Sequence, residues 1–238
     1  MAFDRNNRWS AAGAIPQVDI DTGLRSYMLR VYNYMAGGLA VTGLVAYFAA
    51  SSGLYLEIAR TPLIWVVILA PLALVFLLSF GIERMSLGAA QLTYWVYSAL
   101  VGLSLSWIFY RYVHTSIAEV FFITAGMFLG MSLYGYSTRR DLSRFGAFLF
   151  MGLIGIVIAG LVNLFLQSAA WQFVISVIGV VVFVGLTAWD TQRIKELYFA
   201  GDSAAVAGKK AIMGALTLYL DFINLFILLL RLFGDRRD

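Results

Sequence analysis

Residues 145–189 read FGAFLFMGLIGIVIAGLVNLFLQSAAWQFVISVIGVVVFVGLTAW, 45 consecutive positions without a charged side chain. A helix crosses the hydrocarbon core of a bilayer in about 20 mostly apolar residues, so this run is too long for one crossing and suits two. Asn163, Gln167, Ser168 and Gln172 form a polar break inside it, where a turn can meet water and headgroups. The run therefore reads as two consecutive membrane-spanning helices.

The same reading extends outward in both directions. Uncharged runs cover 31–56, 61–82, 85–110 and 120–138, and a last run, 211–230, is interrupted only by Asp221. That gives seven spans. Backbone groups in lipid must find partners within their own segment, and strand-like alternation is absent, so the spans are predicted to be helices. Composition agrees: 61% of residues are hydrophobic and 13% charged, against about 45–50% and 25% in a soluble domain. The predicted class is an all-α polytopic membrane protein. Residues 1–25, polar and of mixed charge, read as a flexible tail, and 26–238 as the seven-helix transmembrane domain. The tail lacks an apolar core with a small-residue cleavage site, so the first span is expected to act as an uncleaved anchor.

Charge placement gives an orientation. With the N-terminus in the cytoplasm, the inner side holds 12 of the 17 Lys and Arg residues, and the outer side holds Arg60, Arg111, Arg231, Arg236 and Arg237. The net charge of +4 is thus a topology signal, and no basic face with aromatic readers suggests nucleic acid. A basic C-terminal tail prefers the cytoplasm, which leaves a re-entrant last segment as the alternative. The chain has no cysteine and one histidine, His114, which excludes thiolate and multi-histidine metal sites within one chain. No cofactor motif is present. Small residues four apart, Ser98, Gly102 and Ser106 in the third span and Gly126 and Gly130 in the fourth, predict close helix packing.

Two carboxylates stand out. Asp221 lies in the middle of the last span, where a charge costs at least about 2.5–3.5 kcal/mol on insertion scales. Asp190 closes the long uncharged run, near the inner end of the sixth span. Intramembrane ionisable groups tend to face the protein interior and mark a pathway or relay. Counted from the span ends, the two differ in depth by about two turns, so a tilt or a broken helix is needed to pair them. A pair in a poorly solvated site cannot ionise twice cheaply, and it would share a proton over some range. Oxygen-only ligation suits Ca²⁺, and two side chains make only a weak, transient site. The competing reading is that each aspartate separately bridges or caps helices.

The segments FVGLTAWDTQRIK (183–195) and LYLDFINLF (218–226), the second followed by Leu230-Arg231, resemble the sixth and last helices of the Bax inhibitor-1 family (the transmembrane Bax inhibitor motif proteins). YGYST (134–138) followed by Asp141-Leu142 extends the likeness to about residues 25–235. The resemblance implies six helices around a central C-terminal helix, and Asp190 and Asp221 as a pH-responsive gate for passive Ca²⁺ leak. It implies a latch from the arginine near the end of the second helix, Arg84 here, onto Asp190. It also admits a non-conducting regulator that binds another membrane complex, such as a membrane-anchored ATP-dependent protease. The likeness to bacterial-type members points to a bacterial inner membrane. The partners expected are the lipid bilayer, Ca²⁺, protons and a membrane protein.

Enzyme readings fare poorly. Intramembrane aspartyl proteases carry Tyr-Asp and Gly-x-Gly-Asp, whereas this chain has Trp189-Asp190 and Leu220-Asp221. A retinal receptor needs a lysine inside a span, and Lys195, Lys209 and Lys210 are expected in one loop. A proton-coupled transporter remains compatible with a carboxylate pair.

Overall fold

Each uncharged run closes into a helix because, without water, only intrahelical bonds satisfy its backbone. The computed structural model describes residues 17–237, with side chains from Thr22 onward. Its elements are α1 (Gln17–Ser51), α2 (Leu54–Ala59), α3 (Leu63–Gly81), α4 (Leu87–Leu105), α5 (Ile108–Arg111), α6 (His114–Ser137), α7 (Ser143–Leu166), α8 (Ala169–Glu196) and α9 (Ala204–Phe233). Seven stretches are long and apolar enough to cross a membrane, α4 and α5 together forming one of them. The chain is an all-α polytopic membrane protein. Within the segment read as tail, residues 17–25 belong to α1, and residues 1–16 lie outside the described residues.

The polar break in the long run does turn the chain. α7 ends at Gln167, which takes a left-handed backbone (φ 49°), and the Ser168 hydroxyl accepts a hydrogen bond from Trp171 N–H to start α8. Asn163 binds both sides of the turn, through Ser168 N–H and the Gln172 side chain.

The last helix is the core of the bundle. α9 packs against α1, α4, α6 and α8, while α3 packs on α4 and α7 on α8. The ring around α9 is therefore uneven, and α3 and α7 present mostly exposed apolar faces to lipid. Between α1 and α6 run two apolar grooves, of about 270 and 690 Å³, that reach α9 at Phe222.

α9 reaches from one face of the bundle to the other. It is one continuous helix of 30 residues, about 45 Å long at 1.5 Å per residue. It begins at Ala204, about two turns earlier than the uncharged run suggested. Lys209 and Lys210 thus sit in its early turns and Lys195 in the last turn of α8, not together in a loop. Beyond α9, Val113 N–H donates to Asp235 O, Arg237 N–H to Arg111 O, and Asp235 N–H to Ser116 Oγ. These bonds tie the chain's end to the α5–α6 segment, which lies on the face opposite the α3–α4, α6–α7 and α8–α9 connections. α9 thus runs unbroken from one face of the bundle to the other, with no re-entrant turn within it.

Small-residue packing holds in one span and fails in the other. Ser98, Gly102 and Ser106 are buried, and a methyl group at Gly102 would overlap the Thr42 backbone of α1. Gly126 and Gly130 face open space. In α6 the close approach is made by Gly135 instead, against the Ala188 carbonyl of α8. Spacing shows that small residues share a face, but not which neighbour that face meets.

Candidate functional site

α8 and α9 run antiparallel, and their contacts give the register. Lys210 Nζ donates to Leu197 O, Gly214 packs on Ile194, and Gly179 packs on Leu228. In that register Asp221 is level with Leu186 and Thr187, about one turn deeper than Asp190. The offset is one turn rather than two because α8 stays helical to Glu196 and Ala211 lies beyond its end. Neither helix breaks.

Helix geometry closes the remaining gap. Every Cα–Cβ bond tilts toward its own helix N-terminus. Asp190 therefore leans deeper into the bundle, and Asp221, on the antiparallel helix, leans back toward it. The two carboxyls come within hydrogen-bonding reach of each other. Asp190 is 7% exposed and Asp221 5%, so bulk water does not solvate the pair. Asp221 Oδ2 is buried and accepts no hydrogen bond from any described side chain or backbone group, and a proton shared by the two carboxyls would satisfy it.

The surroundings are built from several helices. Thr191 Oγ1 donates to Thr187 O (2.7 Å) and so accepts from Ser132 Oγ (2.9 Å), which in turn accepts from the Tyr32 hydroxyl (2.7 Å). This chain of hydroxyls joins α8, α6 and α1 beside Asp190. Gln192 accepts from Leu142 N–H and donates to Arg140 O, holding the α6–α7 connection against α8. Lys195 Nζ donates to Tyr136 O near the end of α6 and lies over the Tyr136 ring, a favourable place for a cation. On the deeper side Phe222 packs edge-on against Phe121 and Phe128.

The expected residues are not all brought together. Asp190 and Asp221 meet. Arg84 is exposed on the α3–α4 turn and makes no ion pair with Asp190, whose field comes from Arg193, one turn along α8. Arg84 would have to fold inward to act as a latch. No group of three or more His, Cys, Asp or Glu side chains able to hold a metal occurs among the described residues. Any cation at the pair has two carboxylates to use.

Sequence reasoning did not pick out Tyr32, Ser132, Thr191 or Gln192. Thr191 and Gln192 directly follow Asp190, and a helix face predicted to be polar there would have exposed them. Nothing local marks Tyr32 or Ser132, because a hydroxyl within a span can bond its own helix backbone.

Comparison with known proteins gives the family. The profile described as "Inhibitor of apoptosis-promoting Bax1" matches residues 24–238. The chain is 52% identical to Inner membrane protein YbhL of Escherichia coli, over 90% of this chain and 94% of that one. It is 51% identical to the protein RP147 of Rickettsia prowazekii, over 92% and 93%. A protein of Caulobacter vibrioides matches at 41% over 99% of both chains. The chain belongs to the Bax inhibitor-1 family of integral membrane proteins.

Proposed function

We propose that this protein is a pH-sensitive Ca²⁺ leak pathway gated by the Asp190–Asp221 pair. The observation that carries the reading is the meeting of two nearly buried carboxyls, with Asp221 Oδ2 accepting no hydrogen bond from the described residues around it. With a proton between them, the pair draws α8 and α9 together and the pathway is closed. When that proton leaves, two anions face each other in a poorly solvated site; they repel and attract a cation. Oxygen ligands suit Ca²⁺ as the conducted substrate, and a site of two carboxylates releases it readily, as conduction requires. The sign follows: flux rises with pH.

We infer a bacterial inner membrane as the site and a cytoplasmic N-terminus. The inner-membrane assignment of E. coli YbhL and the 12-to-5 bias of basic residues support that reading. The runner-up is a non-conducting regulator that docks on another membrane complex, such as a membrane-anchored ATP-dependent protease. The near-complete burial of the pair is the observation in its favour.

The test is Ca²⁺ entry into dye-loaded liposomes containing the purified protein, from about pH 6 to 8. The parent is expected to conduct more at high pH. Asp190→Asn and Asp221→Asn, which lose one ionisable partner, are expected to give flat profiles. Flux equal to that of protein-free liposomes removes the conduction reading and leaves the regulator.

A further inference from the structure

The face that carries the C-terminus holds a second feature, unrelated to the aspartate pair. A cavity of about 410 Å³ opens between the α7–α8 turn, the end of α5 and the end of α9, lined by Arg111, Arg231 and Arg236 together with Asn163, Gln167 and Gln172. No carboxylate lines it. None of the three guanidiniums makes a hydrogen bond or ion pair to another described residue; the sole ion pair among those residues is Lys210–Asp202, at the opposite face. All three arginines are exposed and free to turn toward the cavity.

This cluster is assembled by the backbone. Arg237 N–H donates to Arg111 O, and an antiparallel bridge joins Tyr112 to Arg236. The tie pairs Arg236 with Tyr112 and Arg237 with Arg111, which brings Arg111 and Arg236 to the wall of one cavity, and α9 adds Arg231 from its last turn. Three like charges around one cavity with no carboxylate in its wall repel one another. The arrangement becomes favourable when an anion arrives from outside. The polar wall is ordered as well: Asn163 donates to Gln172, and Gln172 to Ser176. The first turn of α8 also opens on the cavity at Ala169, adding the positive end of a 28-residue helix.

Depth identifies the source of the anion. α7 ends, α8 begins and α9 ends at this level, which puts the cavity at the headgroup layer. Phe165, Phe173 and Phe233 at these same helix ends are strongly exposed, forming an apolar flank suited to acyl chains. We propose that this cavity binds the phosphate group of an anionic membrane lipid, with Arg111, Arg231 and Arg236 as its ligands. The lipid clamps the α7–α8 turn to the C-terminal strap. Arginine is suited to the task because its planar fork bonds two phosphate oxygens at once.

The test uses the full chain purified in a neutral detergent. Thermal unfolding is followed with added short-chain phosphatidylglycerol, short-chain phosphatidylcholine or inorganic phosphate, and retained lipid is counted by native mass spectrometry. Phosphatidylglycerol is expected to raise the melting temperature by several degrees at low salt, and less at high salt. Phosphatidylcholine and inorganic phosphate should do little at equal concentration. Arg231→Gln and Arg236→Gln should each weaken the lipid response at least about tenfold. If Arg231→Gln does not fold, Arg236→Gln carries the test, since its backbone bridge needs no side chain. A lipid shift that persists unchanged in the arginine variants overturns the proposal, as does no shift at all. Inorganic phosphate matching the lipid overturns the lipid assignment.

Discussion

Asp190 and Gln192 stand two positions apart on α8 and do different work. Asp190 faces Asp221 across the helix interface, whereas Gln192 reaches sideways to two backbone groups of the α6–α7 connection. Gln192→Ala leaves Leu142 N–H and Arg140 O without that partner. A loss of about 1–3 kcal/mol is expected from unsatisfied groups of this kind, read as a lower melting temperature in detergent. In the same connection, the Ser143 hydroxyl and backbone N–H bond the Asp141 carboxyl and hold it below the usual carboxylate range. A carboxylate lowered in the folded state adds stability above its unfolded value of about 4 and loses it as pH falls through its folded value. Between pH 6 and 8 Asp141 therefore stays charged. Asp141→Ala is expected to leave the shape of the Ca²⁺ flux profile unchanged, and a profile flattened as in Asp190→Asn would assign the response to the wrong carboxylate.

Among the elements, α6 and α8 come into close contact where Gly135 meets the Ala188 carbonyl, one turn or less from the aspartate. Gly135→Ala puts a methyl group onto that backbone, and the helices must separate. Overpacking of this kind costs about 1–3 kcal/mol. It should also disturb the Ser132–Thr191 contact between the same helices, so both a lower melting temperature and a higher basal leak at pH 6 are expected. Gly130→Ala, facing open space, serves as the silent comparison. The sequence could announce that α6 carries small residues but not which one lies at the contact, because helix rotation is decided by partners far away in the chain. The same limit hid Tyr32 and Ser132. Asp221 was legible for the opposite reason: a charge in the centre of an apolar run is anomalous before any neighbour is known. Asp190, at a span's edge, needed the family resemblance to be read as its partner. The depth mismatch came from taking the first apolar residue as the helix start, when α9 begins about two turns earlier with Lys209 and Lys210 already inside it.

For the whole molecule, seven membrane-length helices leave the start of α1 and the end of α9 on opposite faces of the bundle. The count of spans was plain from charge spacing, and so was the basic bias on which the proposed orientation rests. What composition could not supply was the fate of the C-terminal arginines, because their position depends on backbone bonds to a segment more than a hundred residues away. In a bacterial host, an alkaline phosphatase fused after Asp238 is expected to be active, and the same enzyme fused within the α6–α7 connection inactive. The reverse pattern would invert the proposed orientation without changing the fold.

The grooves between α1 and α6 give the central helix a neighbour that the chain does not encode. Phe222, next to Asp221, borders both of them, so hydrocarbon tails can lie directly against the helix that bears the pair. The solvent is then one of the walls of the bundle. Chain length, unsaturation and sterol content become physical variables of the protein's own interior, much as a side-chain substitution would be. The same polypeptide should hold α9 with different firmness in membranes of different composition.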